Sequence, residues 1–101
     1  MTDISIVIPA KDEEESIAEL CTWITTVLSH TQLVYEIIFI DDGSRDHTWQ
    51  NIVNMRYKHP QVKGVRFNRN FGKSAALHMG FKLAQGEVVI TMDADLQDSP
   101  E

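Results

Sequence analysis

Tyr35-Glu36-Ile37-Ile38-Phe39-Ile40-Asp41-Asp42-Gly43-Ser44 is the stretch on which the reading of the fold turns. Its apolar run is too continuous for a strand with one wet face, which marks a central strand of a parallel sheet covered on both sides. Ile4-Ser5-Ile6-Val7-Ile8 reads the same way and is closed by Pro9. Between the two runs Ile17, Leu20, Cys21, Ile24, Val27 and Leu28 recur at helical spacing, and Asp12 followed by Glu15 predicts a capping box. A second helix is predicted from near Asp46, with Trp49, Ile52, Val53 and Tyr57 on one face, ending before Pro60. Val62 to Phe67 then forms a third strand. A third helix runs from about Gly72 through Leu83 and Ala84 to Gly86, read as its C′ glycine, and Glu87 to Met92 forms the fourth strand. Strands alternating with helices in this order predict an α/β layout with right-handed crossovers and a Rossmann-like parallel sheet. There is no internal repeat, low-complexity stretch or interdomain linker.

The chain's 101 residues bound it to one small domain, and no apolar run approaches the roughly 20 residues of a membrane span. Met1-Thr2-Asp3-Ile4 leads straight into a strand, without the basic region and small-residue cleavage site of a secretory signal, so a cytoplasmic protein is expected. Cys21 is the only cysteine, which excludes an intrachain disulfide or a cysteine-based metal cage and reads as core filler. The net charge is −6, unevenly laid out. From His47 to Gly86 there is no Asp or Glu, while Arg56, Lys58, Lys63, Arg66, Arg69, Lys73 and Lys82 fall there. The acidic balance argues against nucleic-acid binding. A basic middle beside acidic loop clusters suits a metal-bound phosphate ligand.

In such a sheet, ligands bind beyond the carboxyl ends of the strands. The acidic clusters fall on those ends: Asp12 to Glu15 after the first strand, Asp41-Asp42 after the second, Asp93 and Asp95 after the fourth. Like charges on one rim destabilise the unliganded fold unless cations or donors offset them, which implies a metal or ligand. Asp93-Ala94-Asp95 aims two hard oxygen donors at one place, as a divalent cation shared with a phosphate requires. Asp12, Ser44 and Asp46 also have an ordinary reading as caps and turn formers, and Glu13-Glu14-Glu15 as carboxylates favoured in a helix's first turn. Lys73 stands at a helix start, where the dipole disfavours a cation, so an anion such as phosphate is expected beside Asn68 to Ser74. The four histidines have no metal-ligand spacing and receive no chemistry. Trp23 lies off its helix's apolar stripe and reads as a contact surface, Trp49 as core.

Four segments in order resemble the signature of family 2 glycosyltransferases: Ile8-Pro9-Ala10-Lys11-Asp12-Glu13-Glu14, Ile40 to Thr48, Arg69-Asn70-Phe71-Gly72-Lys73-Ser74-Ala75-Ala76, and Met92-Asp93-Ala94-Asp95-Leu96-Gln97-Asp98-Ser99-Pro100-Glu101. The resemblance is greatest to the branch that includes dolichol-phosphate mannose synthase and bacterial undecaprenyl-phosphate glycosyltransferases. It implies the nucleotide-binding half of a GT-A fold with strand order 3-2-1-4. Residues 1–101 would be the nucleotide-sugar-binding part of a longer domain whose acceptor half is absent. By position, it implies that Pro9, Ala10 and Glu13 line the nucleoside pocket, and that an aspartate of the Asp41-Asp42 pair, Asp42 being favoured, binds the base. Lys73 would approach the diphosphate, and Asp93, Asp95 and Gln97 would surround Mg²⁺ or Mn²⁺, with Asp93 also touching the nucleotide. The chain departs from the family's common aromatic-Asn at Lys11-Asp12, which leaves the base pocket without its usual aromatic wall.

The implied reaction is inverting transfer of a sugar from a UDP- or GDP-sugar to a polyprenyl phosphate at the cytoplasmic face of a membrane. An anionic acceptor makes a general base less necessary, and no residue is assigned as base or nucleophile; the chain alone is expected to be inactive. The alternative is a non-catalytic α/β nucleotide-binding or receiver-like signalling module using Asp41-Asp42. A receiver carries its acidic pair after the first strand and a phosphorylatable Asp after the third, where this chain has Pro9-Ala10 and Asn68-Arg69. No Gly-x-Gly-x-x-Gly follows the first strand, which argues against a dehydrogenase. The fourth strand's outer edge, expected to be paired in an intact domain, is expected to drive self-association here.

Overall fold

The computed structural model describes residues 1–94. Its elements are β1 (Ile4–Ala10), α1 (Ile17–Ser29), β2 (Tyr35–Asp41), α2 (Thr48–Lys58), β3 (Val62–Arg66), α3 (Lys73–Leu83) and β4 (Val88–Thr91). The four strands form one parallel sheet in the order β3-β2-β1-β4, as expected. β1 and β2 run in register from Ile4 opposite Tyr35 to Ala10 opposite Asp41, so both reach the same rim of the sheet.

β2 shows why its run is apolar throughout. Ile37 and Phe39 pack into one core with Leu20, Cys21 and Ile24 of α1 and Ile52 and Met55 of α2. Ile38 and Ile40, facing the other way, pack with Ala76 and Met79 of α3. All four β2 side chains are fully buried, each contributing on the order of 2 kcal/mol. The sheet is thus a central layer with α1 and α2 on one face and α3 on the other.

Several local expectations are corrected. Pro9 does not close β1, which continues to Ala10. Val7 accepts Met92 N–H on the β4 side and Ala10 accepts Asp42 N–H on the β2 side, so alternation turns residue 9 toward β4, beyond the last β1–β4 pair, where no ladder N–H is needed. The Asp12–Glu15 capping box does not form: α1 begins at Ile17, its N-cap is Ser16, and Asp12 has φ 54°. α2 starts at Thr48, near Asp46 as expected, but its buried stripe is Thr48, Ile52 and Met55. Tyr57 lies two residues, about 200°, beyond Met55 and is 85% exposed. Val27 is exposed too, whereas the exposure of Trp23 agrees with its place off the apolar stripe. Gly86 is not a left-handed C′ residue; its N–H donates to Ser5 Oγ at 2.7 Å, and a Cβ there would lie 2.6 Å from Ser5 N. It is glycine because the chain passes that close to β1.

At the amino end of the sheet, buried Glu36 accepts bonds from Ser5 Oγ (2.5 Å), Lys63 Nζ (2.6 Å) and Gln85 N–H (2.7 Å), joining β1, β2, β3 and the segment after α3. Burial pushes its carboxyl up, but the Lys63, Ser5 and Gln85 donors outweigh it and hold it below the ordinary range. β4 pairs with β1, and Val88, Val89 and Ile90 remain substantially exposed. Among the described residues no helix is long and apolar enough to cross a membrane.

Candidate functional site

Two loops at the carboxyl end of the sheet are stitched together by their acidic residues. Asp12 adopts the left-handed backbone that Asp and Asn tolerate better than most residues. Its N–H donates to Ser44 Oγ, its Oδ1 accepts Arg45 N–H at 2.8 Å, and Lys11 Nζ lies 3.2 Å from its Oδ2. The Arg45 N–H and then Lys11 hold the Asp12 carboxyl below the usual carboxylate range. Glu13 N–H donates to Thr48 Oγ1 and Glu14 N–H to Asp46 Oδ2, while Glu14 Oε1 accepts His47 N–H at 2.8 Å. Burial pushes the Asp46 carboxyl up, but donors from Thr48 and Glu14 bring it below the ordinary range. Asp12, Glu14 and Asp46 are therefore spent as acceptors for backbone N–H groups rather than left as bare charge, and the rim repels itself less than the sequence suggests.

The adjacent aspartates at the end of β2 are parted by strand alternation. Asp41 follows Ile37 and Phe39 onto the α1/α2 face, is completely buried, and its Oδ1 accepts Ser44 N–H at 2.9 Å; its Oδ2 finds no partner among the described residues. Asp42 follows Ile38 and Ile40 onto the α3 face. Its Oδ1 accepts Phe71 N–H (2.8 Å) and its Oδ2 accepts Gly72 N–H (3.0 Å), fixing the turn that launches α3. Gly43, at φ 73°, lets the loop pass over Arg69 and Asn70: a Cβ there would sit 2.5 Å from Asn70 N.

These turns open on a cleft of about 300 Å³ that gathers Pro9, Ala10, Glu13, Asp42, Lys73 and Asp93, with Lys11 and Ala94 completing its wall. Lys73, at the first position of α3, bonds Asp93 Oδ1 at 2.7 Å just past β4, and both side chains are more than half exposed. Of the residues singled out in the sequence, Asp41 lies away from this cleft, and Asp95 and Gln97 lie outside the described residues. Lys11, which stands where the resemblance implies an aromatic wall, lines the cleft as well. Among the described residues no three His, Cys, Asp or Glu side chains cluster as a metal cage would. Of the residues implied for the metal, only Asp93 lies among the described residues; its carboxylate is a hard oxygen donor of the kind that suits a divalent cation shared with phosphate oxygens.

Sheet order, crossovers and a strand-end cleft with mixed charge define a Rossmann-like α/β protein of the open-sheet class. Residues 5–101 match the family described as Glycosyl transferase family 2, and the chain belongs to that family. It is 43% identical over 99 residues to an uncharacterised glycosyltransferase of Synechocystis, covering 98% of this chain and 31% of the relative. It is 44% identical over 99 residues to an undecaprenyl-phosphate 4-deoxy-4-formamido-L-arabinose transferase of Pseudomonas fluorescens, covering 97% of this chain and 29% of that protein. The chain thus spans about three-tenths of the length of these curated relatives. A mannosyltransferase of Pyrobaculum calidifontis, solved in complex with GDP-Man and Mn²⁺, superposes with a TM-score of 0.79 at 25% identity, over 91% of this chain and 27% of its own. The structural neighbours are GT-A glycosyltransferases, and the four-stranded sheet is the corresponding part of that fold.

Proposed function

We propose that the cleft binds a nucleotide-diphospho-sugar, as UDP- or GDP-sugar, with Mg²⁺ or Mn²⁺, and that the whole protein transfers the sugar with inversion to a polyprenyl phosphate at the cytoplasmic face of a membrane. The observation that carries this reading is the convergence of Pro9, Ala10, Glu13, Asp42, Lys73 and Asp93, drawn from four separate segments, on one strand-end cleft in a chain of this family. The relatives supply its chemistry: one is named for an undecaprenyl-phosphate substrate, and another was solved with GDP-Man and Mn²⁺.

In this reading Pro9, Ala10 and Glu13 flank the nucleoside, and Asp42, of the Asp41-Asp42 pair, faces the base. Lys73 Nζ offers a positive charge to the diphosphate as it leaves the anomeric carbon. Asp93, with Asp95 and Gln97, would hold the cation, which when bound neutralises charge on the diphosphate oxygens. A phosphate acceptor is already anionic, so no proton need be moved to a base in this part of the chain. We further propose that the outer edge of β4 mediates self-association.

The test is calorimetric titration with UDP and GDP, with and without Mn²⁺. Metal-dependent binding that is lost in Asp95→Ala is expected. Metal-independent binding of equal strength in that variant would overturn the site.

A further inference from the structure

The basic residues of the acid-free run do not all converge on the Lys73 cleft. Arg66 and Arg69 instead join Lys11 and Arg45 around a second cavity of about 750 Å³ at the carboxyl ends of β1, β2 and β3, which shares only Lys11 with the first. Four cationic side chains line it against one carboxylate, Asp12, in a chain whose net charge is −6. Asp12 is already engaged by Arg45 N–H and Lys11 Nζ. Among the described residues none of the Arg45, Arg66 and Arg69 guanidinium groups has a carboxylate partner. Arg66 lies 6.0 Å from the centre of the Trp49 ring and Arg69 4.6 Å from that of Phe71. Aromatic faces orient a guanidinium while leaving its N–H donors for something else.

Unpaired like charges around one cavity repel each other, and an anion with several acceptor oxygens relieves this most directly. We propose that this cavity binds a phosphate group, at a site separate from the diphosphate position proposed at Lys73. A phosphate's tetrahedral oxygens match the two-pronged donors of Arg45, Arg66 and Arg69, and Lys11 adds a point charge. Nothing in the charge or geometry of this cavity depends on the glycosyl-transfer reading.

The test is titration of the 101-residue chain with inorganic phosphate at low ionic strength, read from the arginine side-chain N–H resonances by NMR. Saturable shifts of Arg45, Arg66 and Arg69 are expected, with affinity falling about tenfold in Arg69→Gln and similarly in Arg45→Gln. Arg69→Lys, which keeps the charge and loses the fork, should recover only part of the loss. Both positions are exposed, and circular dichroism checks that the variants are folded. Absence of saturation, equal shifts with chloride, or an affinity unchanged in both Gln variants but lost in Lys73→Ala overturns the proposal. Cosedimentation with phosphatidylglycerol against phosphatidylcholine vesicles separates two sources. Retention on the anionic vesicles that is lost in Arg69→Gln assigns a lipid headgroup, whereas phosphate binding in solution without retention assigns a soluble phosphate compound.

Discussion

Asp42 has both carboxylate oxygens committed to backbone N–H groups at the entry to α3, so it positions Lys73 as well as lining the cleft. Asp42→Asn replaces one acceptor by a donor facing an N–H group. A loss of about 1–3 kcal/mol in denaturant unfolding is expected, together with weakened nucleotide binding. An unchanged midpoint would show that the two bonds hold nothing. Cys21 is the opposite case, a titratable group removed from chemistry: burial pushes its thiol up to about 11. Its reaction with a disulfide reagent at pH 8 should therefore be slow in the native chain and accelerate sharply through the unfolding transition.

At the scale of elements, α3 lies close on the sheet because Gly80 faces Val7: a Cβ at residue 80 would run into the Val7 side chain. Alanine gains about 1 kcal/mol of helix propensity over glycine, but the overlap is with a branched, fully buried residue of the central strand. Gly80→Ala is therefore expected to cost about 1–3 kcal/mol net and to displace Lys73 from Asp93, checked by thermal melts and by the Lys73 side-chain resonances. β1, β2 and the alternation of helices with strands are legible in the sequence, because two-sided burial leaves an unbroken apolar run that no other element explains as well. The missed details are tertiary. Asp12 turns away from α1 because Ser44 and Arg45, more than 30 residues on, offer its backbone and side chain better partners than a helix end does. Gly86 is set by how near β1 passes, which no local pattern records. The choice between Asp41 and Asp42 was legible in principle, since the period of two along β2 sends even-numbered side chains to the face where α3 and Lys73 lie. The basic cavity was not, because Lys11, Arg45, Arg66 and Arg69 meet only once three strands are in register.

Across the whole molecule, Glu36 joins three strands and the segment after α3, and its protonation should register as global acid stability. Its folded value lies below the ordinary 4.5, so its stabilisation is complete above that value and is lost as pH falls through the lower folded value. Glu36→Gln should flatten that arm of the stability curve, measured by urea unfolding between pH 3 and 6; an arm of the same slope would place the proton uptake elsewhere. On the other flank, the exposed Val88-Val89-Ile90 edge predicts association that rises with concentration and falls on Val89→Lys; sedimentation of a clean monomer at high concentration would count against it. The Lys73–Asp93 ion pair spans the last gap, between α3 and β4. Solvent-exposed pairs of this kind are worth little, about 0–1 kcal/mol, so it opens readily. If the diphosphate takes Lys73 and the cation takes Asp93, each ligand arriving alone widows one member of the pair, and the second to arrive finds its residue already released. Donor and metal are then heterotropically linked, each tightening the other by the same factor. Asp93→Asn should uncouple them: metal-free nucleotide affinity rises as Lys73 is set loose, and added Mn²⁺ no longer enhances it.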